Sequence, residues 1–69
     1  MSADLLRAAI AATTTSDRAF AVLIWVDERT VRRWLAGDRE IPGPVMVLCK
    51  LLIARPTLVR FLQIWHREG

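Results

Sequence analysis

No stretch of this chain alternates apolar and polar residues for long, and glycine and proline stand only at positions 37, 42, 43, 44, 56 and 69. A half-buried sheet needs sustained alternation and a loop-rich fold needs more punctuation, so helices packed on helices are what remains. Sixty-nine residues hold one domain with one small core. A lone cysteine cannot form an internal disulfide, and Cys49 with His66 is no zinc-binding set. Yet 54% of the residues are hydrophobic and the mean hydropathy is +0.30. A domain this small leaves much of its surface in water, so part of the apolar surface is expected to face another chain.

A bilayer is the other sink for apolar residues, and the spacing argues against it. The longest uncharged apolar run, residues 19–26, is far short of the ~20 residues that span a membrane. Asp4 and Arg7 interrupt the N-terminal stretch, which therefore does not read as a secretory signal. The expected location is the cytoplasm. A net charge of +3 and a pI of about 10.5 suit an anionic partner without identifying one.

Five helices are expected within a single domain covering residues 1–69. The first runs over about 3–12, with Ser2 as N-cap and Leu5, Leu6, Ala9 and Ile10 facing inward. Thr13, Thr14 and Thr15 end it, since consecutive β-branched hydroxyl residues favour a turn. Ser16 can cap a short second helix ending near Ile24, with Asp17 set against the positive end of its dipole. Asp27 is expected to cap a third helix that stops at Gly37, a residue suited to a left-handed cap. A polar loop over 38–43 leads to a fourth helix over 44–54, with Pro44 in its first turn. Pro56 separates this from a fifth helix at about 57–66.

The third helix is the informative one. Arg29, Arg32 and Arg33 stand at i, i+3 and i+4 and share a face, while Val31, Trp34 and Leu35 project from the other. The helix thus has an apolar back to dock on a core and a cationic front. Guanidinium forks pair with phosphate oxygens and with the O6/N7 edge of guanine, and an α-helix fits the major groove of B-DNA. The plain alternative is a solvated surface helix with a Glu28–Arg32 i,i+4 pair.

Around this helix, residues 16–52 resemble the helix-turn-helix of the lambda-repressor/Cro-like family of small bacterial and phage regulators. The stretches 3–10 and the C-terminal helix resemble it more loosely. Ala21 stands where the family has a small residue at the helix crossing, and Phe20, Ile24, Val26, Val31 and Trp34 where it has apolar ones. Asp27 takes the cap position and Gly37 the glycine after the recognition helix; "TVRRWLAG" followed by "REIP" is the most specific part. Two positions depart from the pattern. Trp25 occupies the turn position that is usually glycine, and Asp17 replaces a phosphate-touching glutamine.

The resemblance implies an all-α, five-helix lambda-repressor-like domain whose helix-turn-helix covers about 17–36. Glu28, Arg29 and Arg33 then fall where base edges are read. The arginines suit guanine and Glu28 suits cytosine N4. Ser16, Arg18, Thr30, Arg32 and Arg39 fall where phosphates are held; for Arg18 and Arg39 plain solubility is the competing role. No metal, cofactor or catalytic constellation is expected, and Cys49 and Trp34 read as core, His66 as solvated.

The helices over 44–67 carry more apolar residues than one core needs. Val45, Leu48, Cys49 and Leu52 form one stripe and Leu58, Phe61, Leu62 and Trp65 another, with apolar neighbours beside both. A homodimer interface is expected to draw on Met46, Lys50, Ile53, Phe61, Ile64 and Trp65; a tighter monomer core is the alternative. The expected function is a homodimeric, nucleoid-associated repressor reading an inverted-repeat operator in double-stranded DNA. The alternative is an antitoxin-like module whose C-terminal helices grip a toxin or other protein partner.

Overall fold

The computed structural model describes the backbone of residues 2–68 and the side chains of residues 3–64. Within them the chain is all-helical: α1 (Ser2–Ala12), α2 (Asp17–Leu23), α3 (Glu28–Ala36), α4 (Gly43–Ala54), a single 3-10 turn (Pro56–Leu58) and α5 (Val59–Glu68). Helix α1 lies between α4 and α3, and α2 packs on α3. Leu6, Ala9 and Ile10 from α1 meet Phe20 and Ala21 from α2, Val31 and Trp34 from α3, and Cys49 and Leu52 from α4 in one core. Burial pushes the Cys49 thiol up, so it stays neutral and packs as a small hydrophobe.

Three of the helices end in the same way. At each end one residue takes a positive φ: Thr14 (52°), Trp25 (62°) and Gly37 (82°). Its N–H donates three residues back, to Ala11 O, Val22 O and Trp34 O respectively. The next residue's N–H donates five back, from Thr15 to Ile10 O, Val26 to Ala21 O and Asp38 to Arg33 O, at 2.9–3.1 Å. This is the Schellman closure, which satisfies carbonyls that a helix end otherwise leaves open. Only the third uses glycine. At α1 the closure is helped by Thr13, whose buried hydroxyl lies 2.8 Å from Ala9 O and 3.0 Å from the Thr15 hydroxyl.

Several expectations need correction. Ser2 stands inside α1 instead of preceding it. Asp27 occupies the N-cap position of α3, but its carboxylate makes no cap hydrogen bond; only its carbonyl is used, accepting from Thr30 and Val31. The loop over 38–43 is not wholly polar, because Ile41 is buried in the core. The segment after Pro56 starts as a 3-10 turn with Leu58 N–H bonded to Arg55 O, so α5 begins two residues later than expected. Leu58, Val59 and Leu62 pack on the core, while Phe61, expected in the same inward stripe, is 62% exposed.

Candidate nucleic-acid interface

Helix α3 is built from its back outward. Val31 and Trp34, one turn apart, are 0% and 5% exposed, and Leu35 is half-buried beside them. With that stripe in the core, helical geometry turns Arg29, Arg32 and Arg33 to solvent, and all three are exposed. Glu28, in the first turn, reaches the Arg32 guanidinium one turn later and forms an ion pair with it. The side chain of Glu28 is the more covered of the two, at 32% against 68% for Arg32. Such an exposed i,i+4 pair stabilises the helix by only about 0.3–0.5 kcal/mol. It leaves Arg29 and Arg33, which have no ion pair among the described residues, as the charges available to a partner.

Four further residues singled out from the sequence lie near this face or on the helix before it. Thr30 is half-buried, whereas Arg18 and Arg39 are exposed and without an ion pair among the described residues. The Ser16 hydroxyl oxygen accepts the Ala19 N–H at 3.1 Å, so this residue caps α2 and keeps only its own proton to donate elsewhere. Arg18 also borders an open, largely apolar groove of about 440 Å3 between α2 and α5, whose walls include Ala19, Val22, Leu23 and Gln63.

The turn at 24–27 that joins α2 to α3 keeps a left-handed residue although tryptophan occupies it. Trp25 sits at φ 62° and is 71% exposed. A Cβ in the left-handed region costs about 1 kcal/mol or more relative to glycine. Comparing two variants isolates that cost: Trp25→Gly should melt above Trp25→Ala by about 1 kcal/mol, since both remove the indole and only one removes the Cβ. Equal thermal melts of the two would show that the turn is not held left-handed in solution.

The residues expected at a second-copy interface are divided by the structure. Met46 and Ile53 are half-buried against the core. Lys50, Phe61 and Ile64 are exposed, and so are Val47 and Leu51, one turn apart on α4 and among the apolar residues beside its inward stripe. The side chains of Trp65 and His66 lie outside the described residues.

Sequence reasoning missed Arg7. Its Nη2 donates to Leu35 O across 28 positions at 3.2 Å, and its Nη1 lies 3.6 Å from the Asp4 carboxylate. Asp4 at i−3 was the one local signal that this arginine is held in place. Among the described residues no helix is long and apolar enough to cross a membrane. Comparison with protein-family models, with curated proteins and with solved structures finds no match to this chain.

Proposed function

We propose that this chain is a sequence-specific double-stranded DNA-binding regulator of the lambda-repressor/Cro-like type, acting as a homodimeric repressor. The observation that carries it is the division of α3. An apolar stripe is sunk in the core, and Arg29 and Arg33 stand exposed on the opposite side, with no ion pair among the described residues. The short helix α2, the tight left-handed turn at 24–27 and the glycine closure of α3 supply the frame in which such a helix enters a major groove. Arg29 and Arg33 are assigned to guanine edges; Glu28 accepts from a cytosine only if its pair with Arg32 loosens. Arg18, Arg39, Thr30 and the Ser16 hydroxyl are assigned to phosphates. Selection on randomised duplex DNA tests this directly. Recovery of a defined motif is the expected result, and no binding of any duplex at low salt would end the proposal.

Homodimerisation is supported by exposed Val47 and Leu51 on α4 and by exposed Phe61 and Ile64 on α5. Light scattering at micromolar concentration should give a mass near twice 7.8 kDa. A Phe61→Lys substitution should lower it, because a charge on a buried patch must be desolvated. A wild-type monomer that still grips a half-site tightly would contradict the dimer.

The same exposed residues favour a second reading, in which α4 and α5 hold a different protein, as an antitoxin holds its toxin. A chain that stays soluble and dimeric when purified alone supports the repressor; one that needs a co-expressed neighbour supports the protein-binding module.

A further inference from the structure

We infer that Arg7 is a positioning residue for the proposed recognition helix: from α1 it closes the C-terminal end of α3 and so sets the direction in which Arg33 projects. The Schellman closure at Gly37 and Asp38 accounts for the carbonyls of Trp34 and Arg33. It does not reach Leu35 O, the next carbonyl along α3. That oxygen accepts instead from Arg7 Nη2 at 3.2 Å. The cation therefore sits at the negative end of the α3 dipole, where it is stabilising. The guanidinium is a planar fork, and its second arm lies 3.6 Å from Asp4 Oδ1 in an exposed i,i+3 ion pair, a weak contact beside the bond to Leu35 O.

The placement matters more than the strength of the bond. Among the described residues, this is the one side-chain hydrogen bond that joins two helices; the other side-chain bonds are local. It lands two residues beyond Arg33, on the half of α3 that carries Arg32 and Arg33. The core contacts of Val31 and Trp34 fix how deeply α3 sits. They act through side chains, whereas Arg7 binds the α3 backbone directly. A directed bond to the backbone at the helix end adds a restraint that side-chain packing does not supply. A lysine in place of Arg7 keeps the charge but cannot serve both Asp4 and Leu35 O in one plane.

This inference rests on the DNA-facing role of α3 only for its consequence, so the test has one arm that needs no DNA. Amide hydrogen exchange is measured on the wild type and on Arg7→Met, which keeps an unbranched stem, and Arg7→Lys. Exchange of the amides at 36–38 should accelerate about two- to tenfold in Arg7→Met, the range of one net hydrogen bond, with a smaller change in Arg7→Lys. Amides of Cys49 and Leu52 in α4 should be unchanged. Unaltered exchange at 36–38, or equal acceleration in α4, would overturn the inference. In the second arm, Arg7→Lys should lose severalfold in affinity for a selected duplex while its salt slope stays that of the wild type, because the charge count is the same. An unchanged affinity in this arm would also overturn it. A wild type that binds no duplex would instead defeat the proposed function, with the exchange arm still deciding whether Arg7 holds α3.

Discussion

Trp34→Ala is expected to leave the chain largely unfolded at 37 °C. Trp34 is 5% exposed and sits in the core with Val31 from the same helix. Truncating a buried aromatic costs about 3–5 kcal/mol, from lost transfer energy and the cavity left behind. A domain of 69 residues has roughly 3–10 kcal/mol of stability in total. The loss is therefore comparable with the whole. Urea melts followed by circular dichroism should show a broad, early or absent transition for Trp34→Ala, with Trp34→Phe retaining a cooperative one. A shift below about 1 kcal/mol in the alanine variant would mean that α3 is not anchored through Trp34, and the outward aim of its arginines would lose its basis.

The division of α3 into a buried back and a cationic front was legible in the sequence, because helical periodicity alone puts Val31 and Trp34 opposite Arg29 and Arg33. So were the Ser16 cap and the left-handed Gly37, whose chemistry is local: a hydroxyl facing free N–H groups, and a residue without Cβ. What escaped was decided by tertiary context. Thr14 takes the same left-handed closure as Gly37, although a Cβ disfavours it, because α1 must turn sharply for the apolar residues of α1 and α2 to reach one core. Ile41 looked like part of a polar loop, and only the path of the chain between α3 and α4 carries it inward. The 3-10 turn at Pro56 delayed the start of α5 by two residues, and α5 packs Val59 on the core while Phe61 faces outward. No periodicity could place Arg7 beside Leu35, 28 residues away. The candidate site was therefore more legible than the surfaces around it, since its pattern lies within one helix.

That single-helix pattern also yields the sharpest functional expectation, which separates reading from clamping. Arg33→Ala should cost about 1–3 kcal/mol on the selected duplex and relax the preference at one base pair, as loss of a bidentate guanine contact does. Its stability should change little, since Arg33 is exposed and outside the core. Arg39 lies in the loop just past Gly37, exposed and without an ion pair among the described residues. Arg39→Ala should weaken selected and scrambled duplexes alike and lower the salt slope by about one unit per half-site, the signature of one lost phosphate contact. In a dimer the two copies of α3 would enter successive major grooves ~34 Å apart, so the selected motif should be an inverted repeat with half-sites about one helical turn apart. Titrations of both variants against both duplexes at several salt concentrations resolve these effects. Equal losses on the two duplexes for Arg33→Ala would move it from the base edge to the backbone. Base reading would then fall to Arg29, the other exposed arginine of α3 without an ion pair among the described residues.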